Sequence, residues 1–104
     1  SRAVSMGAYC TAKAGVNQFT RAIGLELAKY GINVNAIAPG YTYSNLLAGL
    51  SEEAVQGIAN TIPTGRLGTA IEIGALATYL ASPASDQVTG AIVTIDGGHS
   101  LGIY

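Results

Sequence analysis

Two short β-branched runs, INVNAIA at residues 32–38 and AIVTI at residues 91–95, most narrowly constrain the fold of this chain. Each is apolar at nearly every position and is stopped by a turn signal, Pro39-Gly40 after the first and Asp96-Gly97-Gly98 after the second. Such runs read as strands buried on both faces, the kind that parallel sheets use. Two helix signatures lie between them. Ser51, Glu52 and Glu53 supply a capping hydroxyl and two acids at the positive end of a helix running to about Asn60. Thr69-x-x-Glu72 is a capping box for a second helix, whose Ile73, Leu76, Ala77 and Leu80 form a buried stripe ended by Ser82-Pro83. Two strands joined by a helical crossover predict a right-handed parallel βαβ unit.

A longer helix comes first. Residues 9–30, YCTAKAGVNQFTRAIGLELAKY, keep a helical period and end at Gly31. Tyr9, Lys13, Val16, Thr20, Ile23 and Leu27 share one face, while the far side carries Ala14, Gln18, Ala22 and Leu25. A helix with apolar residues on two sides is expected to lie between its own sheet and a further partner. Composition points the same way: charged residues make up 11% of the 104, against about 25% in ordinary soluble domains. A unit this small has a large surface for its volume and would need more polar cover if it stood alone. A two-stranded parallel sheet is also narrower than such sheets normally are. The expected fold class is therefore α/β: residues 1–104 form the C-terminal portion of a doubly wound, Rossmann-like parallel-sheet domain, incomplete on its own.

Several functions are disfavoured at this stage. The net charge is −1, and the basic residues Arg2, Lys13, Arg21, Lys29 and Arg66 do not cluster, so no phosphate-tracking patch for nucleic acid is visible. No apolar run approaches membrane-spanning length, and SRAVSMGAYC lacks the apolar core of a signal peptide. The single cysteine, Cys10, excludes an internal disulfide and suits a reducing cytoplasm. His99 is the lone histidine, and no metal site is expected.

Chemistry is suggested by SMGAYCTAKAGV, residues 5–16. Tyr9 and Lys13 stand one helical turn apart on one face. A free phenol has a pKa of about 10, too high for an efficient base near neutrality. A neighbouring ammonium group favours the phenolate and lowers that pKa. The same ammonium presents three donors and can hydrogen-bond a diol. Tyrosine and lysine at this spacing also recur by chance on many helices, so the pair gains meaning from its surroundings: small Gly7 and Ala12 beside it, and the βαβ half that follows.

Those surroundings are specific. AYCTAKAGV, then GINVNAIAPGY, then GRLG, then YLASPASDQVTGAIVTIDGG resemble, in order and spacing, the C-terminal part of the short-chain dehydrogenase/reductase family in its compact form. The resemblance implies that Tyr9 is the general acid/base facing the reacting carbonyl or alcohol. It implies that Lys13 lowers the tyrosine pKa and binds the nicotinamide ribose of NAD or NADP. Pro39 and Gly40 match the family's turn beside the nicotinamide, where Thr42 would offer backbone contacts to the carboxamide. Thr42 stands where a branched apolar residue is more common. Ser44 stands where the family usually has threonine and could keep the hydroxyl contact to the cofactor, or could simply cap a turn. Tyr41, Tyr43, Leu46 and Leu47 fall in what resembles the substrate loop, where they either line a pocket or pack the lid. Asn35, Arg66 and Asp96 read as structural.

The family's phosphate-cradling glycine loop, its active-site serine and the asparagine of a preceding helix have no counterpart among these residues. The site is therefore expected to be completed by the N-terminal half of the same enzyme. The implied whole is an NAD(P)-dependent oxidoreductase that interconverts an alcohol and a ketone or aldehyde, cytoplasmic and homotetrameric. The long first helix and the tail TIDGGHSLGIY resemble the family's two subunit contacts. The alternative is a truncated, non-catalytic fragment that acts only in subunit assembly.

Overall fold

The computed structural model describes residues 2–44 and 47–101, with side chains from Gly7 onward. Helix α1 spans Arg2–Leu27 and tightens into a 3-10 turn at Ala28–Tyr30; strand β1 is Ala36–Pro39, helix α2 Glu52–Asn60, helix α3 Ala70–Leu80 and strand β2 Ile92–Ile95. Short 3-10 turns lie at Pro83–Ser85 and His99–Leu101. The chain divides into two compact units, residues 1–36 with 85–93, and residues 37–84 with 94–104.

The two strands pair directly in one sheet. Ala36 N donates to Ala91 O at 2.9 Å and Gly40 N to Ile95 O at 3.1 Å, so partners advance together along both strands. That constant offset is the parallel arrangement predicted from the helical crossover.

Strand β1 starts four residues later than the expected 32–38. The cause lies in what residues 33–35 bond to. Asn33 Nδ2 donates to Asp86 O at 3.0 Å, Val34 N donates to Thr89 Oγ1 at 3.1 Å, and Asn35 Nδ2 donates to Val88 O at 3.0 Å. Asn35 Oδ1 accepts from Ala91 N at 3.0 Å. Side-chain amides thus take over where a regular ladder would run, and Asn35 ties two segments together as its sequence context suggested.

In the first unit, α1 begins at Arg2 rather than at Tyr9. Nothing in RAVSMGA forbids the extension: it contains no proline, one β-branched residue and several good helix formers. The helix ends at Gly31, whose φ of 74° is the left-handed C-terminal cap expected of it. Among the described side chains, its inward contact lies in the C-terminal half. Thr20 is buried, its hydroxyl returned to Val16 O at 2.9 Å, and Ile23 and Leu27 are half-buried. Gly24 meets Gly90 so closely that a Cβ there would lie 3.0 Å from the Gly90 Cα. Val16, Phe19 and Leu25 are left exposed, Leu25 by 80%.

The second unit holds the buried apolar core, formed by Ala59, Ile62 and Leu67 with Leu47, Val55 and Ile58 packed against it. Both of its helices start as read from sequence. Ser51 Oγ accepts from Ala54 N at 3.1 Å, and Thr69 with Glu72 forms the complete capping box.

The chain exposes 7456 Å². A folded monomer of this mass exposes about 5,400 Å². Large apolar side chains contribute to that surplus, among them Phe19, Ile71 and Leu101. This is the surface of part of a domain.

Candidate active site

Tyr9 and Lys13 sit well inside α1, more than one turn beyond its start. Thr11, between them, donates its hydroxyl to Gly7 O at 2.8 Å, which removes a competing polar group from the local surface. The Lys13 Nζ lies 6.0 Å from the centroid of the Tyr9 ring, at the outer limit of a cation–π contact. Tyr9 is 64% exposed and Lys13 is exposed beside it. Gly7 is open: nothing lies within 4 Å of where its Cβ would be. A phenol and an ammonium are thus presented together on an uncovered helix face.

The turn after β1 is built within the second unit. Gly40 is required there by close approach, because a Cβ would lie 2.5 Å from Asp96 Cβ and 2.9 Å from Asp96 Cα. Thr42 forms an isolated parallel bridge with Gly68: Gly68 N donates to Tyr41 O at 2.9 Å and Tyr43 N to Gly68 O at 3.0 Å. In such a bridge the flanking residues make the bonds, so the N–H and C=O of Thr42 itself face away from Gly68. Among the described residues, neither group has a main-chain partner. The Thr42 hydroxyl donates to Gly40 O at 3.2 Å, which satisfies the polar side chain at a place where an apolar one is commoner.

Ser44 closes a turn through its carbonyl, which accepts from Leu47 N at 3.0 Å. Its hydroxyl has no hydrogen-bond partner among the described residues. Pro39, Tyr41, Tyr43 and Ser44 are exposed, and Leu47 packs against the core. Leu46 lies outside the described residues. Tyr9 and Lys13 therefore belong to one unit, and Pro39, Gly40, Tyr41, Thr42, Tyr43, Ser44 and Leu47 to the other.

Three polar residues read as structural or left aside in the sequence acquire definite partners. Arg66 makes a bidentate ion pair with Glu72, at 2.8 and 2.7 Å. Hydrogen bonds from Arg66, then from Thr69, hold the Glu72 carboxyl down to about 2, and the same pairing raises the Arg66 guanidinium. Asp96 accepts from Gly98 N and Ser100 N, both at 2.9 Å; the Ser100 side chain and then its amide lower the carboxyl below its ordinary range. His99 meets Tyr41 edge to face, ring centroids 5.4 Å apart at 81°. Contact between two loops so far apart in sequence leaves no periodicity to read, so only the structure reveals it. A cavity of about 110 Å³ contains Thr64, Arg66, Glu72 and Asp96 and none of the expected site residues. No cluster of metal-ligating side chains occurs among the described residues, and no described helix is long and apolar enough to cross a membrane.

Residues 2–100 match the sequence model of a family described as enoyl-(acyl carrier protein) reductase. Nodulation protein G of Azospirillum brasilense is 46% identical over 86% of this chain and 37% of its own length. Galactitol 2-dehydrogenase (L-tagatose-forming) of Cereibacter sphaeroides is 42% identical over 89% of this chain and 37% of its own. The chain belongs to the short-chain dehydrogenase/reductase family. Among solved structures, a short-chain dehydrogenase family protein from Francisella tularensis superposes with a TM-score of 0.82 at 32% identity, over 91% of this chain and 44% of that one. A structure from Agrobacterium tumefaciens with bound NADP, provisionally assigned as a 2-deoxy-D-gluconate 3-dehydrogenase, superposes with a TM-score of 0.80 at 43% identity, over 90% of this chain and 39% of that one. This chain spans somewhat over a third of the length of these curated relatives.

Proposed function

We propose that this chain is the C-terminal part of an NAD(P)-dependent oxidoreductase that interconverts an alcohol and a ketone or aldehyde. The observation that carries the reading is the exposed Tyr9–Lys13 pair, one helical turn apart with the ammonium 6.0 Å from the phenol ring. Tyr9 is the general acid that protonates the carbonyl oxygen in reduction, and the base that takes the alcohol proton in the reverse direction. Lys13 stabilises the phenolate and hydrogen-bonds the ribose hydroxyls. The N–H and C=O of Thr42, which have no main-chain partner among the described residues, suit a carboxamide, which has both a donor and an acceptor, and the Ser44 hydroxyl, without a partner among those residues, offers a further contact. The dinucleotide, when bound, supplies or accepts the hydride. Pro39 and Gly40 set the position of that turn, and Tyr41, Tyr43, Leu46 and Leu47 form the substrate loop. The family resemblance implies carbonyl rather than enoyl reduction, because related enoyl reductases often place the lysine further from the tyrosine than the four-residue separation of Tyr9 and Lys13.

The N-terminal half of the same enzyme completes the site. Exposed apolar side chains on α1, with Leu101 near the tail, support a homotetramer. A free, exposed Cys10 suits the reducing cytoplasm. The test uses the complete protein, purified and mixed with NADH or NADPH and a panel of 3-oxoacyl thioesters, ketoses and small ketones. Oxidation of the reduced nicotinamide is expected with at least one of them, and Lys13→Met is expected to raise the KM for the cofactor while lowering kcat. Failure of the wild-type protein to turn over any carbonyl, or a Lys13→Met variant with unchanged cofactor KM, contradicts the reading.

A further inference from the structure

We infer that Arg66 and Glu72 are positioning residues for the cofactor contact proposed at Thr42, acting through the two peptide units that flank Gly68. The inference rests on the proposal above that the main chain of Thr42 faces the nicotinamide carboxamide. All of these residues belong to the second unit.

The Gly68 main chain holds Thr42 from both sides. Gly68 N donates to Tyr41 O at 2.9 Å, and Gly68 O accepts from Tyr43 N at 3.0 Å. Gly68 N belongs to the peptide unit that begins with the Leu67 carbonyl, and Gly68 O to the unit that ends with the Thr69 N–H. A peptide unit is planar and trans, so its carbonyl and its N–H point in opposite directions, and fixing one end aims the other. The ion pair fixes both remaining ends. Arg66 Nη1 donates to Leu67 O at 3.0 Å, and Glu72 Oε1 accepts from Thr69 N at 3.0 Å. The two side chains are locked to each other by their bidentate contact at 2.8 and 2.7 Å, the strong and directional form of a charged hydrogen bond. Burial of the Leu67 side chain in the core fixes where residue 67 sits. It does not set the tilt of the peptide unit that follows, and Gly68 has no side chain to set it either. The pair therefore turns Gly68 N–H towards Tyr41 O and Gly68 C=O towards Tyr43 N–H, which keeps the N–H and C=O of Thr42 facing away from Gly68.

The test uses the complete enzyme and two ligands: the dinucleotide, and the same molecule without its nicotinamide (ADP-ribose or its phosphorylated form). Arg66→Met removes the ion pair and the bond to Leu67 O but leaves the Thr69–Glu72 cap in place. It is expected to weaken dinucleotide binding by roughly two- to tenfold for each hydrogen bond displaced, with the affinity for ADP-ribose unchanged. Ser51→Ala, which removes the cap of α2 in the same unit, controls for general destabilisation. It should lower Tm and leave the ratio of the two affinities as in wild type. Hydrogen exchange in the ligand-free enzyme reads the bridge itself: in Arg66→Met the Gly68 and Tyr43 amides should exchange about two- to tenfold faster. Unchanged exchange at both amides overturns the inference. Equal weakening of both ligands, or a ratio that shifts as far in Ser51→Ala, also overturns it, because the pair would then serve stability alone. Wild-type affinities that do not differ between the two ligands would count against the carboxamide contact proposed for Thr42, and the amide exchange would still decide whether the pair holds the segment.

Discussion

A methyl group added at residue 40 has no room. Its carbon would lie 2.5 Å from Asp96 Cβ and 2.9 Å from Asp96 Cα, where carbon atoms in contact prefer about 3.5–4.0 Å. One of the two obstructing atoms is backbone, so a rotamer change cannot relieve the overlap. Retreat of residue 40 is also opposed, because its N–H makes the last rung between the strand ends, to Ile95 O at 3.1 Å. Overpacking costs roughly 1–3 kcal/mol, and with backbone crowded on both sides Gly40→Ala belongs in the upper half of that range. In a domain of about 150–250 residues each kcal/mol lowers Tm by about 2–4 °C, so the complete enzyme is expected to melt roughly 4–12 °C lower. Gly49→Ala is the control: nothing lies within 4 Å of its Cβ position, and substitutions of that kind stay within about 0.5 kcal/mol. Paired thermal unfolding of the two variants decides the matter. If they melt together, the close approach of residue 40 to Asp96 is wrong.

Two other perturbations have defined signs. Glu72 is held at about 2, well below its ordinary 4.5, so its contribution to stability is fully present above pH 4.5 and disappears as pH falls towards 2. Glu72→Gln should therefore differ most from wild type near neutrality and converge with it in acid, with high salt weakening the difference because the pair is exposed; a difference that grows on acidification would reverse the sign. Asn35→Leu removes two hydrogen bonds and leaves Val88 O and Ala91 N without that partner, which should cost about 1–3 kcal/mol in chemical unfolding; a wild-type midpoint would show that the amide bridges nothing important.

The elements whose signals are local were legible in the sequence. Ser51 and Thr69 started their helices where their hydroxyls and following acids required, and Gly31 ended α1 through its left-handed φ. The pairing of β1 with β2 followed from the crossover rule. What sequence could not give depends on contacts between distant residues. The start of β1 moved because Asn33 and Asn35 bond across more than fifty positions. Among the described side chains, the inward face of α1 lies in its C-terminal half, where Gly24 meets Gly90, while Tyr9 and Val16, on the expected face, stayed exposed. At the candidate site, the spacing of Tyr9 and Lys13 was legible from one helical turn. The anchoring of Thr42 by Gly68 and the meeting of His99 with Tyr41 were not, since each joins loops that carry no period.

The most direct test is Tyr9→Phe in the complete enzyme, which removes one hydroxyl and keeps the ring beside Lys13. General acid–base catalysis by a placed side chain supplies about 10²–10⁴-fold in rate, so kcat should fall by that factor while NAD(P) titration gives a dissociation constant close to wild type. Turnover within a few-fold of wild type would contradict the assignment of Tyr9 as the proton-transfer group.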